Sequence, residues 1–445
     1  MPDTATPNLL DRALRRITDA WRDMAAAVAP TEDESIAAQM RACLASRGGE
    51  VSARNRAAKL GETYLAADAE GRLAFLRELA AFDSDPAAIA AAAEKLAAAP
   101  EPAGRAAATA ALRRVMEPPR VRLLTQFTTI PDGVKFLVDL RAELLAQRDA
   151  DAALAALEAD LRALLAAWFD IGFLDLRRID WNSPAALLEK LVGYEAVHEI
   201  RGWRDLKNRL DSDRRCYAFF HPRMPSEPLI FVEIALVQGL AGSVQALLDE
   251  KAPVLDSKLA DTAIFYSISN CQRGLAGISF GNFLIKRVVE ELAGEFRNIR
   301  QFATLSPIPG FRRWLDATLA KPDSPALRPG EAEILAPILA KRGWLRDGAA
   351  REAEPILIRL STHYLLNEGR GKRALDPVAH FHLSNGARIE RVCWAADTSD
   401  KGVKESAALM VNYLYDIARI EQNHEDYAGE GKRNASTAIR KALKV

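Results

Sequence analysis

The sequence predicts a two-part α + α/β fold: an all-helical bundle over residues 1–170, then a mixed α/β domain over residues 171–445. Three observations predict it. The first third is rich in Ala, Leu, Arg and Glu and poor in β-branched residues, which favours helix. Past Gly172, strand-like apolar runs alternate with helical stretches. And 445 residues are too many for one ordinary core.

In the helical third, Leu14, Ile17, Trp21 and Met24 recur at helical spacing, which predicts a helix over Asp11–Met24. Leu73, Leu76 and Leu79 predict a second over Glu70–Phe82. Asp85-Pro86 starts a third, with Asp as cap and Pro in the first turn. The Ala-rich run Ala87–Ala99 reads as a close-packed helix with small contact residues. Pro118-Pro119 breaks the pattern, and Pro131-Asp132-Gly133 is a turn. Leu154, Leu157, Leu161, Leu164 and Trp168 form one stripe of a helix over Asp151–Trp168. Ser183-Pro184 caps a further helix, and Gly202-Trp203 opens a short one. Strands are expected over Cys216–His221, Leu229–Leu236 and Ala263–Ser269.

The composition excludes several classes of function. Sixty basic residues balance sixty acidic ones, so the broad basic footprint of a general nucleic-acid binder is missing. The four cysteines are scattered and form no CxxC pair, which fits free thiols in a reducing compartment and offers no zinc site. No secretory signal is legible at Met1-Pro2-Asp3-Thr4, and Ala442-Leu443-Lys444-Val445 is not a peroxisomal address. The longest apolar run, Pro228–Gly242, contains Glu233 and is shorter than the roughly 20 residues that span a bilayer. A cytoplasmic protein is expected, with no membrane partner.

The segment Ala263–Phe311 carries the chemistry. Strand Ala263–Ser269 leads to the glycine-containing loop Cys271–Gly281, then to a helix Asn282–Phe296 and a strand Phe302–Leu305. The unit predicts two parallel strands joined by a crossover helix. Glycines let backbone approach a ligand, and amides at a helix start receive phosphate oxygens. GxGxxG and GxxxxGKS/T are both absent. Gln272-x-Gly274-x-x-Gly277 is similar to the pyrophosphate loop of GNAT-class acetyltransferases. A rival reading takes Gly277-Ile278-Ser279-Phe280-Gly281 as the GxSxG nucleophile elbow of hydrolases. An elbow needs its strand to run directly into the first glycine, and here several residues intervene after Ser269.

A second segment runs from Leu375 to Trp394. Asn385-Gly386 predicts a two-residue hairpin between strands Val378–Leu383 and Ala387–Trp394. His380 and His382 would then share one strand face. With six histidines in the chain and no third ligand at metal spacing, an HxH metal site is not expected, and the metal set is empty.

Four stretches together resemble malonyl-CoA decarboxylases: His221–Leu236, Ala263–Leu292, Phe302–Leu315 (FATLSPIPGFRRWL) and Asp376–Tyr415 (beginning DPVAHFHLSNGA). The resemblance implies a helical N-terminal domain, a candidate for the oligomerising part, and a GNAT-like catalytic domain that binds malonyl-CoA. It implies an active serine at Ser306, by SPIPGF, and an active histidine at His382, by FHLxNGA. Acyl-CoA contacts would fall on Ala276, Gly277, Ile278, Ser279, Phe280, Gly281 and Asn282, with Ser267 and Tyr415 near the site. Animal members carry Glu where this chain has Ser279, so the chain departs from the family pattern there and the resemblance carries no acid role over to that position. The implied reaction converts malonyl-CoA to acetyl-CoA and CO2 through an enolate that His382 protonates, with no cofactor, in a homotetramer. A GNAT-type acyltransferase that passes the acyl group to an amine is the alternative, and a CoA-binding regulatory protein the third reading.

Overall fold

The structure, a computed structural model, describes residues 20–28, 35–45, 49–147, 151–278, 284–321, 323–346 and 348–444. It divides into two compact units. One comprises residues 1–173 with His221–Glu227 and Gln272–Ser279. The other comprises Leu174–Phe220, Pro228–Cys271 and Phe280–Val445.

The first unit is helical. Three of its helices begin where an aspartate caps them. Asp68, Asp85 and Asp151 accept backbone N–H groups at the starts of Ala69–Ala81, Pro86–Ala98 and Ala152–Trp168. Asp85-Pro86 thus starts a helix as expected, and Pro119 opens the helix Pro119–Gln126. Of the predicted helix Asp11–Met24, residues up to 19 lie outside the described ones, and residues 20–26 are helical. Trp21 is fully buried, stacks with Phe127 and meets Phe136 edge-on. Its indole Nε1 donates to Pro131 O at 2.9 Å. Gly61 makes room for it: a Cβ there would lie 2.1 Å from the ring.

One expectation needs correction in this unit. On Ala152–Trp168 the fully buried stripe runs through Leu154, Leu157, Leu161 and Leu165, while Leu164 and Trp168 are half-buried. A 3.6-residue period reaches 165 from 161 as readily as 164. The Ala-rich helix Pro86–Ala98 buries only Ala92, and its neighbour Pro102–Met116 buries no residue. The two pack closely on each other, as expected of small contact residues, but methyl side chains bring too little apolar area to build a core between them.

The second unit is built on one sheet. Its strands are β1 Asp175–Ile179, β2 Arg214–His221, β3 Met224–Val237, β4 Thr262–Asn270, β5 Gln301–Thr304, β6 Ser306–Pro307, β9 Arg388–Cys393 and β10 Met410–Leu414, in the order β1-β2-β3-β4-β5-β10-β6, with β9 on β10. A separate hairpin pairs β7 Gly369–Arg370 with β8 Arg373–Ala374. β4 and β5 are parallel and are joined through the helix Leu284–Glu295, as predicted. Ile264, Tyr266, Ala303 and Leu305 face one core, and Cys216, Ala218, Phe220 and Phe231 face another. The helix Ala185–Tyr194 follows Ser183-Pro184, but Ser183 does not cap it. Its Oγ accepts Asp180 N–H instead, at 3.1 Å. Gly202 opens Trp203–Arg209 with φ 157°.

Pairing between β4 and β5 ends at Phe265 with Thr304. β4 continues to Asn270 on β3, whereas the chain after Leu305 pairs with β10 through Ser306 and Pro307. The two parallel strands therefore part at the residue before Ser306.

The largest correction concerns the segment around His382. The predicted hairpin is a helix, Pro377–Ser384. Asp376 caps its start with Pro377 in the first turn. Asn385 ends it, and Gly386 follows with φ 81°. Asn-Gly is a hairpin signal, but a left-handed glycine also terminates helices. Here the Asp376-Pro377 start, ahead of Asn385-Gly386, decides between the two. The expected second strand is present as β9. His380 and His382, two residues apart on a helix rather than a strand, do not share a face.

Candidate active site

Ser306 and His382 are separated by 76 residues in sequence, yet Ser306 Oγ lies 3.0 Å from His382 Nε2. Ser306 comes from β6, in the short extended piece that follows the strand parting. His382 comes from the last turn of Pro377–Ser384. The remaining contacts orient these two groups. Ser306 Oγ donates to Thr304 Oγ1 at 2.9 Å, and Thr304 Oγ1 also accepts Tyr413 N–H at 3.1 Å. His382 Nδ1 lies 2.8 Å from the Tyr415 hydroxyl. Its ring stacks on Tyr413 at 4.5 Å between centroids. With Nδ1 engaged by Tyr415, the proton His382 can exchange at the site is at Nε2.

The cluster is dry. Thr304 and Tyr413 are 0% exposed, His382 and Tyr415 2%, and Ser306 6%. Ser306 is therefore the most open of the five. Burial drives the His382 imidazole down to about 3, so it is neutral in the empty site. The ordinary imidazole value is near 6.5. Burial also raises Tyr415 and Tyr413 well above the ordinary tyrosine value, so both phenols keep their protons.

The other expected residues divide by position. Tyr415 belongs to the cluster, but it touches the back of the imidazole. Ser267 is buried on β4, two residues past the last β4–β5 pair, and its Oγ donates to both oxygens of Glu195 at 2.8 Å. Ser269 reaches the same carboxylate at 3.3 Å. Glu195 also accepts the amides of Val197 and His198. His380, by contrast, meets the Tyr427 hydroxyl at 2.8 Å. Among the described residues no group of three or more His, Cys, Asp or Glu could hold a metal ion. None of the four cysteines is in a disulfide.

The glycine-containing loop is described through Ile278, while Ser279, Phe280, Gly281 and Asn282 lie outside the described residues. Within the helical unit, Gly274 packs on the helix Gly133–Gln147: a Cβ there would fall 1.7 Å from Val138 O. The buried Arg141 holds the loop by donating to the carbonyls of Gly274 and Ala276, at 2.5 and 3.0 Å, while Glu158 neutralises it. Ala276 and Gly277 follow, and Gly277 has φ 73° with open space around its missing Cβ. Gly274 is thus explained by packing, and Gly277 by its backbone conformation.

Sequence reasoning missed Thr304 and Tyr413. Thr304 was accessible in principle, because i and i+2 on an extended chain share a face with Ser306. Tyr413 belongs to the cluster only through tertiary pairing, which no local pattern encodes.

The chain matches the family of malonyl-CoA decarboxylase C-terminal domains over residues 172–445 and that of the N-terminal domains over residues 82–169. The mitochondrial malonyl-CoA decarboxylase of Anser anser anser is 37% identical over 346 residues, 72% of this chain and 69% of the relative. That of Rattus norvegicus is 37% identical over 350 residues, 72% and 70% of the two chains. Among solved structures, malonyl-CoA decarboxylase from Rhodopseudomonas palustris superposes with a TM-score of 0.87 at 44% identity, over 93% of this chain and 100% of that one. The enzyme from Agrobacterium vitis gives 0.85 at 41% identity, over 92% and 99%. No helix among the described residues is long and apolar enough to cross a membrane.

Proposed function

Because the chain belongs to the malonyl-CoA decarboxylase family, we propose that it converts malonyl-CoA to acetyl-CoA and CO2, with Ser306 and His382 as the reacting-end pair. The observation that carries this reading is the 3.0 Å contact between Ser306 Oγ and His382 Nε2 in a buried cluster.

Losing CO2 breaks the bond between the carboxylate carbon and the α-carbon, and the electron pair moves into the thioester carbonyl as an enolate. A proton must then reach the α-carbon, so each turnover consumes one proton from water. Only contacts stronger to the enolate than to the substrate accelerate this step. Pre-aimed donors contribute about 3 kcal/mol each. Ser306, held in place by Thr304, becomes such a donor once its single hydroxyl proton turns from Thr304 to the enolate oxygen.

His382 is neutral in the empty site, but a malonyl carboxylate beside Nε2 favours the imidazolium. The substrate thereby charges its own acid. When the carboxylate leaves as neutral CO2, the proton passes from Nε2 to the enolate carbon, and the dry pocket again favours neutral imidazole. No acyl group is transferred, so no acyl-serine is required. Tyr415 acts through His382 rather than on the substrate, and Ser267 contributes to the wall on β4. The loop from Ala276 to Asn282 is assigned to the CoA phosphates, and the open backbone at Gly277 supports that role.

The test is malonyl-CoA with the purified protein and no acceptor. Release of CO2 with acetyl-CoA is expected, whereas dependence on an added amine selects acyl transfer. Ser306→Ala and His382→Asn should each lose at least about 100-fold in turnover. A dead Ser279→Ala beside an active Ser306→Ala would overturn the assignment.

A further inference from the structure

The segment Ser306–Gly310 carries Pro307 and Pro309, so after Ser306 only Ile308 and Gly310 supply N–H groups. A side-chain oxygen takes each of them. Ile308 N donates to Ser406 Oγ at 3.1 Å, and Gly310 N donates to Asp376 Oδ2 at 3.2 Å. Asp376 is 1% exposed. Its other oxygen, Oδ1, accepts Val378 N and Ala379 N at 3.0 and 2.9 Å and so caps the helix that carries His382. One carboxylate grips both segments. The approach is tight, since a Cβ at Gly310 would lie 2.2 Å from the Tyr364 hydroxyl and 3.5 Å from Asp376 Oδ2.

We propose that Asp376 is a positioning residue that clasps the Ser306 loop to the start of the His382 helix and thereby holds the reacting pair at hydrogen-bond distance. This rests on the reading of Ser306 and His382 as that pair. Burial pushes the Asp376 carboxyl up to about 6, against the pull of its three amide donors. No charged side chain enters that balance. The ionisable groups that feel its charge are the phenols of Tyr364, on Ala350–Asn367, and Tyr413, on β10, and burial keeps both protonated. Acidification through about 6 therefore protonates an oxygen set that faces only N–H donors, and the clasp loosens.

Asp376→Asn separates this role from helix capping. Asn remains a good cap through one oxygen. Its amide nitrogen would then face Gly310 N–H, donor against donor. The expected result is a turnover loss of about 10- to 100-fold, as for a misplaced reacting group, with KM within about threefold of wild type. The acid limb of turnover near 6 should vanish. The melting temperature at pH 7.5 should not fall, because the charged form is the one that burial disfavours. Hydrogen exchange at Gly310 should quicken while residues 377–384 stay protected. Asp376→Ser, which also caps but offers a single short acceptor, repeats the test on an independent background. Unchanged exchange at Gly310, or quickened exchange with full turnover, would overturn the proposal. Wild-type protein that fails to decarboxylate malonyl-CoA would overturn the function proposed above, and the exchange measurement would still decide whether the clasp exists.

Discussion

Tyr415→Phe is the smallest change that probes the pair. It removes one oxygen and leaves the ring, which lies 6.2 Å from Phe265 between centroids. Among the described residues that oxygen has one hydrogen-bond partner, His382 Nδ1 at 2.8 Å. Its loss strands a buried ring nitrogen, at a cost of about 1–3 kcal/mol. If all of that fell on the orientation of the imidazole, turnover would drop between about 5- and 150-fold, at about 1.4 kcal/mol per tenfold. The stack on Tyr413 keeps the ring in place, so a value of about tenfold is expected. KM should not change, because Tyr415 sits behind the histidine. Steady-state acetyl-CoA formation measures both constants. In a His382→Asn background the Tyr415→Phe change should cost nothing further, since the two residues act as a unit. A raised KM with normal turnover, or losses that multiply in the double variant, would refute this reasoning and return Tyr415 to direct substrate contact.

The pH dependence of stability has a definite sign. The unfolded histidine takes a proton near 6.5 and the folded one only near 3, so the unfolded state binds more protons between these values. His382 thus contributes about 5 kcal/mol that is lost as pH falls through that window. Asp376 acts in the opposite sense. Its rise from 3.8 to about 6 returns about 3 kcal/mol as pH falls between them. His382→Asn should therefore lessen the stability lost between pH 6.5 and 5 by about 2 kcal/mol, read by urea unfolding at each pH; an unchanged loss would contradict the burial argument. Arg209→Met should destabilise by about 3–5 kcal/mol, because it leaves Asp205 and Glu233 buried without the guanidinium that now lies 2.9 Å from each. Urea midpoints check this, and a neutral result would mean that both carboxylates are protonated. Gly274→Val drives a side chain into Val138 O and should lower both the melting temperature and CoA affinity by calorimetry. Loss of stability with intact affinity would detach the loop from CoA binding.

Much of the fold was legible where the signal is local. Asp85-Pro86 and Asp151 mark helix starts through the side-chain oxygen they offer to free amides. The apolar run Ala263–Ser269, followed by a glycine-containing loop and an amphipathic helix, marked the parallel β4–β5 pair. Ser306 and His382 were reached through motifs, and their meeting was expected, but the element carrying His382 was misjudged. Asp376-Pro377 and Asn385-Gly386 bracket a helix as well as they bracket a hairpin strand. The choice depends on a carboxylate capping two amides, which alternation of apolar residues does not report. The depressed His382 was also illegible, because desolvation is a property of Tyr413, Tyr415 and Phe381 gathered around one ring.

Ser306 and His382 lie 76 residues apart, and Tyr415 a further 33. Each rides on a different element, so no single hairpin or helix contains the proposed reacting set. Its assembly waits on two long loop closures, whose entropy is recovered only when both segments dock. Regain of turnover is therefore a late event in refolding, after helical signal has returned. For the same reason, mild denaturant will silence the enzyme before it unfolds the chain, and activity is a more sensitive reporter of tertiary order here than any spectroscopic measure of secondary structure.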